Sequence, residues 1–228
     1  ANDSQSDAYI DDIIATKNRL QLILDSTVEA IFGVDENGIC NFCNNSVLKM
    51  LGYQKKEDLL GKRIHDLIHH SYIDGRPMPY DECKITQSIK NQNSIHVEDE
   101  VFWRTDGSYF YVSYYSHPQE KDGKIIGTVV TFTDITERKC QEEHIKYVSN
   151  HDSLTNLYNR FFFSEEMKRL DTKDNLPISI IYADIDGLKL TNDIFGHQEG
   201  DSLLIKSAQI FKSVTKNGII ARVGGDEF

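Results

Sequence analysis

The chain has 228 residues, enough for two domains of modest size. It carries 36 Asp and Glu against 25 Lys and Arg, a formal net charge of -11, which argues against binding to nucleic acid or to an anionic membrane. No apolar run approaches the roughly 20 residues of a membrane span. We therefore expect a cytoplasmic location, with the alternative that this segment is the cytoplasmic part of a longer membrane sensor.

We expect residues 1–18 to form a helical lead-in and residues 19–137 to form a domain of short strands and helices. Asn-Gly and Asp-Gly turns separate its apolar runs, and a glycine ends each predicted helix. The predicted strands are 30–34, 39–43, 97–104, 108–117 and 124–133, and the predicted helices are 46–51 and 56–60. This order predicts an antiparallel sheet with a helical layer.

The four cysteines, Cys40, Cys43, Cys83 and Cys140, do not suggest a disulfide framework, and reduced thiols are the default in the cytoplasm. Cys40 and Cys43 form a C-x-x-C pattern inside a predicted strand. Residues three apart on a strand point to opposite faces, and no second pair follows at zinc-ribbon spacing. We therefore favour neither a metal site nor a redox role for this pair.

Three groups of residues in this region are similar to motifs of PAS sensor domains. The most specific is the exit motif Asp-Ile-Thr-Glu-Arg-Lys at 134–139. The others are Asn-Asn at 44–45 with Leu-Gly-Tyr at 51–53, and the segment Phe-Trp-Arg-Thr-Asp-Gly-Ser at 102–108. The segment 19–137 therefore resembles a PAS domain, which implies a sensory role.

The sequence does not identify a ligand for this sensor. The cysteine motif of flavin light sensors is missing, and three histidines that could serve haem (His65, His69 and His70) are better explained as a solvated patch. Aromatic residues could line a small-molecule cavity, but filling the core is their commoner role. They are Phe32, Phe42, Phe102 and Trp103. We assign no ligand.

Residues 138–150 link this domain to the rest of the chain. The stretch from Asp134 to Asn150 lacks Gly and Pro, which predicts one continuous helix. Ile145 and Val148 lie on one stripe, too few apolar residues for a helix that is stable alone. We expect the helix to pair with its copy in a second subunit as a coiled coil, giving a homodimer through this domain and the helix. The alternative is a passive spacer.

Two acidic stretches lie in the last third of the chain. An apolar run at 180–183 predicts a strand that ends in Asp184 and Asp186, two residues apart and therefore on one face. A second predicted strand, 218–223, leads into the turn Gly-Gly-Asp-Glu-Phe at 224–228. Like charges so close repel unless a cation lies between them. An exposed strand end is the simpler interpretation of the first pair taken alone.

These stretches belong to a set of motifs in one order along residues 151–228. The motifs are HDSLTNLYNR at 151–160, DIDGLK at 184–189, Asn-Asp at 192–193, GHQEGD at 196–201 and GGDEF at 224–228. The segment resembles the first half of a GGDEF domain, the diguanylate cyclase family. The resemblance implies an α+β chain in which a PAS antiparallel sheet with a helical layer is joined by a signalling helix to a truncated, palm-like α/β GGDEF domain.

The resemblance also implies the roles of particular residues. Catalysis falls to Asp226 and Glu227, which share the deprotonation of a ribose 3′-hydroxyl. Mg²⁺, or Mn²⁺, is held by Asp184, Asp226 and the backbone carbonyl of Ile185. Nucleotide-binding residues are Asn192 and Asp201 for guanine, Lys189 with the amides of Gly187 and Leu188 for phosphates, and His197 as a pocket support.

Two of these residues carry a further expectation. Asp201 could also act as the N-cap of a helix over 202–214. Leu188 stands where the family usually has an aromatic residue, which is expected to loosen packing near the base.

The implied function is a bacterial, sensor-regulated diguanylate cyclase, a nucleotidyltransferase that joins two GTP molecules into cyclic di-GMP and releases pyrophosphate. Because the family's domain continues past residue 228, we expect this fragment itself to be inactive. The family's inhibitory product motif, R-x-x-D, is replaced by Thr-Lys-Asn-Gly at 215–218, so we expect no such site. The alternatives are a GTP-binding regulatory GGDEF protein and a non-enzymatic PAS dimerisation or ligand-sensing module.

Overall fold

A computed structural model describes residues 2–215 and 218–228. The chain divides into two compact units, the first ending at Lys139 and the second running from Cys140 to Phe228. The first contains a sheet with a helical layer, and the second is built mainly from helices around short paired segments. The predicted mixed class of helices and antiparallel sheet is confirmed.

Along the first unit a long helix comes first, then a pair of strands, then a group of short helices, and then the last strands of the sheet. Their bounds are α1 Asn2–Asp25, β1 Ala30–Asp35, β2 Cys40–Cys43, α2 Asn45–Leu51, α3 Ile64–Ile68, α4 Lys84–Asn91, β3 Ile95–Trp103, β4 Tyr109–Lys121 and β5 Lys124–Asp134. Short 3-10 turns lie at Lys56–Asp58 and Tyr80–Glu82. The helical segment predicted over 56–60 is therefore present, but as a single 3-10 turn and shorter than predicted.

The strands of the first unit form one antiparallel sheet in the order β2-β1-β5-β4-β3. Alternate residues of β4 are buried, which is the period of a strand with one face against a core. Helices α2, α3 and α4 contact the sheet. Phe32, Phe102 and Tyr114 are among the largest fully buried side chains, so at least two of the aromatics considered for a ligand cavity fill the core instead.

A β-bulge changes the expected positions of two cysteines. Cys43 pairs with Phe32 and Cys40 pairs with Val34, although the cysteines are three positions apart and their partners only two. The extra residue on β2 brings both thiols to the same, buried face. The expectation of opposite faces is wrong for that reason. Contact with Cys43 and burial together raise the pKa of the Cys40 thiol, and both cysteines are free thiols.

One buried asparagine, Asn44, joins three elements of the first unit. Its side-chain oxygen accepts hydrogen bonds from the backbone N–H of Ile31 in β1 (3.0 Å) and of Val47 in α2 (3.2 Å), where it serves as the N-cap. Its amide donates to the carbonyl of Leu24 in the last turn of α1 (3.0 Å) and to the carbonyl of Glu29 just before β1 (2.8 Å). The Asn-Asn motif is thus a structural device that fixes the start of the sheet.

The second unit packs around a small core. Its elements are the later part of α5 Thr136–Asn150, then β6 Tyr158–Asn159, α6 Arg160–Leu170, α7 Leu188–Phe195, α8 His197–Val214 and β7 Ala221–Arg222, with a 3-10 turn at Lys173–Asn175. Strand β7 pairs in parallel with β6. The core contains Leu157, Leu204, Ala208 and Phe228. The continuous helix predicted from 134 to 150 is confirmed from Thr136 onward.

The two strands predicted in the second unit are only partly present. Residues 180–183 are not assigned to a strand, and Ile181 is 88% exposed. The reason is that backbone pairing begins only at Ala183. An apolar run without a hydrogen-bonded neighbour does not form a strand of a sheet. Of the strand predicted over 218–223, Ala221–Arg222 is formed. None of the helices that the structure describes is long and apolar enough to cross a bilayer.

Replacing Asn44 with Ala is expected to lower the free energy of unfolding of the first unit by about 2–4 kcal/mol, because a helix cap is lost and buried backbone groups lose their partners. The neighbouring Asn45→Ala change, at an exposed side chain, is the matched control and is expected to cost less than about 0.5 kcal/mol. Urea unfolding followed by circular dichroism measures both. Equal effects of the two changes would contradict the role given to Asn44.

Candidate functional site

The two acidic stretches meet through backbone hydrogen bonds. Ala183 and Phe228 exchange a pair of them (2.9 and 2.8 Å), and the Ile185 N–H donates to the Asp226 carbonyl at 3.0 Å. Asp184 consequently lies opposite Glu227 as an antiparallel bridge pair. Residues about 40 positions apart in the sequence thus bring their carboxylates to one place.

This convergence is electrostatically unfavourable by itself. Loss of hydration, followed by the negative charges of neighbouring acids, raises the pKa of the Asp184 carboxyl. The acids, in order of effect, are Asp226, Asp186 and Glu227. Repulsion of this kind is relieved by protonation or by a cation, so the cluster has the electrostatic character of a cation site.

Arg222 holds the tip of the Gly-Gly-Asp-Glu turn. Its guanidinium donates two hydrogen bonds to the Gly225 carbonyl (3.2 and 2.7 Å) and also pairs with Asp152 at 3.1 Å. Burial pushes the pKa of Asp152 upward, but hydrogen bonds from Thr155 and then the Arg222 charge hold it below its ordinary value. Sequence analysis gave Arg222 no role. Its position just before the turn was the feature of the sequence that could have indicated this role.

The first glycine of the turn lies where a side chain would have no room. A Cβ at Gly224 would collide with the Oε2 atom of Glu227, whereas a Cβ at Gly225 would meet no atom within 4 Å. Gly224 therefore leaves room for the Glu227 carboxylate beside the chain. Gly225 is exposed at the tip, open to whatever approaches the turn.

The predicted phosphate-binding residues begin a helix. Gly187 is the N-cap of α7 in a left-handed conformation (φ 78°), a conformation that glycine adopts at low cost. Leu188 and Lys189 occupy the first turn, where backbone N–H groups lack partners within the helix. Leu188 packs against the small core, and Lys189 is exposed. This geometry is compatible with an anion bound at the amides.

The two residues predicted to bind guanine differ in their burial. The Asn192 Oδ1 atom is buried and has no hydrogen-bond partner among the described residues. It packs so closely on Gly200 that a Cβ there would collide with it. Asp201 follows Gly200 on α8 and is exposed. An orphaned acceptor beside a free carboxylate offers two hydrogen-bonding groups to a ligand.

One expectation about this helix is wrong. Asp201 is not an N-cap, because α8 begins four residues earlier at His197 and its N-cap is Gly196. His197 lies in the first turn of the helix and is exposed. The chain turns at Gly196, where φ is 87°, so α7 and α8 are separated by a single residue. Of the replaced product-site motif, Lys216 and Asn217 lie outside the described residues.

The chemistry of the acidic cluster fits a divalent hard cation, which prefers carboxylate and carbonyl oxygens. Asp184, Asp226 and the Ile185 carbonyl supply such oxygens, and the mutual repulsion of the acids supplies a reason for the cation. These acids do not form a group in which three ligand atoms all lie within 4.8 Å of one another. Among the described residues, the set that does so lies in the first unit and consists of His65, His69 and Cys83.

That set overturns the expectation of a solvated histidine patch. His65 and His69 are buried, and His70 alone of the three is exposed. They separate because α3 turns the first two, four residues apart, onto one inward face. Burial alone would raise the pKa of the Cys83 thiol, but the neighbouring imidazoles of His65 and His69 lower it to about 5. Despite burial, contacts with Cys83 and Glu100 raise the pKa of His69 to about 9.

The exit motif anchors the start of α5 to the sheet. Asp134 pairs with Arg104 at 2.7 Å and also accepts a hydrogen bond from the Thr136 N–H at 2.9 Å. The Thr136 hydroxyl in turn accepts from the Tyr111 N–H at 3.0 Å. The first turns of the helix also pair with β3, since Arg138 lies 3.4 Å from Glu98 and Lys139 lies 3.0 Å from Asp99.

Family models match both units. Residues 28–137 match a PAS domain, and residues 149–228 match the model described as the GGDEF domain of diguanylate cyclases. The antiparallel sheet of the first unit and the acidic turn of the second agree with these matches. The chain is therefore a PAS domain followed by a GGDEF segment, as its motifs indicated.

Three curated relatives cover most of this chain. The probable diguanylate cyclase DgcE of Escherichia coli (strain K12) is 31% identical over 93% of this chain and 19% of its own length. A diguanylate cyclase of Vibrio cholerae is 29% identical over 91% of this chain and 65% of its own. The cyclic di-GMP phosphodiesterase PdeR of Escherichia coli is 27% identical over 75% of this chain and 27% of its own. The chain spans less than two thirds of each of them.

A solved structure also matches the first unit. The PAS domain of a Colwellia psychrerythraea protein is 20% identical, with a TM-score of 0.44, over 54% of this chain and 99% of that one.

Neutralising Asp184 is expected to have two opposite effects on stability. Because its carboxyl is destabilised by its neighbours, Asp184→Asn should raise the melting temperature of the second unit in the absence of Mg²⁺. The same change should remove the rise in melting temperature that Mg²⁺ gives the unchanged protein. Scanning calorimetry with and without Mg²⁺ measures both, with Asp174→Asn, an exposed acid in the Lys173–Asn175 turn, as control. An undiminished Mg²⁺ response in Asp184→Asn would refute the cation site.

Proposed function

We propose that the intact protein is a sensor-regulated diguanylate cyclase. Two GTP molecules, one on each protomer of a homodimer, would be joined into cyclic di-GMP with release of two pyrophosphates. The observation that carries this proposal is the backbone pairing of Ile185 with Asp226, which brings the two acidic stretches of the GGDEF segment together. The use of GTP is in keeping with a cytoplasmic location.

Each acid of the cluster would have its own role. Asp184, Asp226 and the Ile185 carbonyl would hold Mg²⁺ or Mn²⁺. When bound, such ions lower the pKa of a coordinated hydroxyl and neutralise charge on phosphates. Glu227, next to Asp226 on the turn, would share with it the role of accepting the proton of the attacking 3′-hydroxyl. Arg222 keeps both acids in place through the Gly225 carbonyl.

The nucleotide would extend from this cluster toward α7 and α8. Lys189 and the amides of Gly187 and Leu188 would contact phosphate oxygens, and Asn192 with Asp201 would bind the Watson–Crick edge of guanine, with His197 supporting the pocket. The unpartnered Asn192 Oδ1 supports this assignment, because a buried acceptor without a partner is costly unless a ligand supplies a donor.

Each protomer holds one GTP, so the reaction needs a second copy of the chain. Helix α5 exposes Ile145 and Val148, and α1 exposes Ile13, Leu20 and Ile23. Apolar residues left on the surface of long helices favour pairing with a copy. This supports a homodimer formed through α5 and the PAS domain.

The sensor would control how the two protomers meet. Strand β3 carries a bulge between Val97 and Glu100, and it is this part of the strand that pairs with the first turns of α5. A change in the PAS core that moved β3 would therefore act directly on the helix. Control of dimer geometry through α5 is the corresponding hypothesis, and it requires two arrangements of the dimer that the PAS domain stabilises to different extents.

A second candidate is a GGDEF segment that binds GTP for regulation and does not turn it over. The relative named as a cyclic di-GMP phosphodiesterase shows that similarity over this region also extends to proteins named for another activity. The complete set of acids in this chain favours the cyclase.

The cyclase activity is tested by incubating the intact protein with GTP and Mg²⁺ and measuring cyclic di-GMP by liquid chromatography. We expect product from the unchanged protein and at least about a 100-fold lower rate from Asp226→Asn, which loses a metal ligand and a catalytic acid. Asp174→Asn should keep the full rate. GTP binding without product would favour the regulatory candidate. If the protein neither bound GTP nor formed product, the non-enzymatic PAS module would be favoured.

A methyl group at Gly200 is expected to weaken recognition of guanine. Gly200→Ala would displace the Asn192 amide and should raise the KM for GTP by about 10- to 100-fold, the loss expected for one or two hydrogen bonds. Asn192→Ala should raise the KM for GTP by a similar factor. Ser207→Ala, on the same helix and with a hydroxyl that donates to the Leu203 carbonyl, serves as the control and should leave KM unchanged. A normal KM for Gly200→Ala would contradict the guanine site.

A further inference from the structure

The interior of the PAS domain brings together three side chains that can bind a metal. The ligand atoms of His65, His69 and Cys83 lie within 4.8 Å of one another, and all three residues are buried. Helix α3 carries His65, His69 is its C-cap, and Cys83 directly precedes α4. The grouping was not visible in the sequence, since a stretch of loop separates the cysteine from the histidines.

The outer nitrogen of each imidazole faces an oxygen. His65 Nε2 lies 3.0 Å from the Met78 carbonyl, which can only accept a hydrogen bond, so Nε2 donates and Nδ1 keeps its lone pair. That Nδ1 is buried and has no hydrogen-bond partner in the described part of the chain. His69 Nε2 lies 3.1 Å from a carboxylate oxygen of Glu100, an ion-pair contact, and His69 Nδ1 lies 3.2 Å from Cys83 Sγ.

This arrangement has the form of an outer ligand shell. Histidines that bind metals usually direct their second nitrogen at a backbone carbonyl or a carboxylate, which orients the ring. Here Met78 and Glu100 take those places. Glu100 is itself fixed, because it accepts a hydrogen bond from the Tyr114 hydroxyl at 2.7 Å and pairs with Lys84 at 2.9 Å.

The space beside the cluster suits an ion and not a large cofactor. The three residues border an internal cavity of about 10 Å³, whose other walls include Val34, Ile85 and Ile89. That volume is near the minimum for a single water molecule, whereas organic cofactors occupy some hundreds of Å³. A haem would therefore require the core to be rebuilt.

We propose that His65 Nδ1, His69 Nδ1 and Cys83 Sγ form a binding site for Zn²⁺ or a similar divalent transition metal. Two imidazoles and a thiolate are ligands that such ions take, and the small cavity leaves room for a water as the fourth. Bonds of about 2.0–2.3 Å in a tetrahedron place ligand atoms about 3.5 Å apart. The three atoms need only a small inward movement from their present separation.

The site is tested on the full chain carrying Cys140→Ser, which removes the exposed thiol. Metal-free protein is given Zn²⁺ in the presence of excess Mg²⁺, which occupies the oxygen ligands of the GGDEF segment, and bound zinc is measured by mass spectrometry after desalting. We expect one Zn²⁺ per chain. Co²⁺ in its place should give the thiolate-to-cobalt charge-transfer absorption in the near ultraviolet.

Two variants remove ligands one at a time. Cys83→Ser should abolish the cobalt–thiolate band, and His65→Gln, which can still donate to the Met78 carbonyl but lacks Nδ1, should weaken zinc affinity by at least about 100-fold. Matched controls are Cys43→Ser, a buried thiol away from the histidines, and His70→Gln, the exposed neighbour. Both should retain the metal and the band.

Circular dichroism establishes that each variant is folded. If Cys83→Ser does not fold, the cobalt band of the parent chain together with His65→Gln decides the question. The proposal fails if the folded parent chain retains no zinc and gives no thiolate band. It also fails if His65→Gln binds zinc as tightly as the parent, or if the band is lost in Cys43→Ser.

Discussion

Repulsion among carboxylates, opposed by a few backbone hydrogen bonds, determines the character of the GGDEF segment. The bonds from Ala183 and Ile185 to the final turn hold Asp184 close to acids that raise its pKa. An arrangement of this kind is maintained at a cost in stability and is relieved by a cation. Arg222 is the fixed positive charge of the turn, yet it is committed to Asp152 and to the Gly225 carbonyl. The segment therefore keeps its acids available, which is what a metal-dependent site requires.

The PAS domain depends on buried polar groups of a different kind. Asn44 satisfies backbone groups from three elements at once, and Glu100 connects His69, Tyr114 and Lys84 in the core. Fully bonded polar networks make a core specific, because alternatives to the native arrangement leave buried groups unpaired. Glu100 also ends the bulge of β3, whose preceding residues pair with the first turns of α5. An event at the histidines thus has a short physical connection to the helix that leaves the domain.

Errors in the sequence-based expectations have a common origin. The side-chain alternation of Cys40 and Cys43 was broken by a single inserted residue. The three histidines were treated as one patch, although a helix of five residues sends two of them inward. Asp201 was considered as an additional N-cap for a helix over 202–214, whereas the helix had already begun at His197. In each case the residues were identified correctly, and an irregularity or an exact boundary of the surrounding strand or helix decided the outcome.

The amino-acid sequence by itself determined the order of the two domains, most of the strands of the PAS sheet, the helical linker and the residues of the acidic site. These follow from local features: turn pairs, apolar periodicity and compact motifs. Only the tertiary structure decided that Arg222 supports the signature turn, that Asn192 has an unpaired buried oxygen, and that Cys83 meets two histidines. Such relations depend on which distant segments share a hydrogen bond or a core, and no local pattern in a single sequence records that.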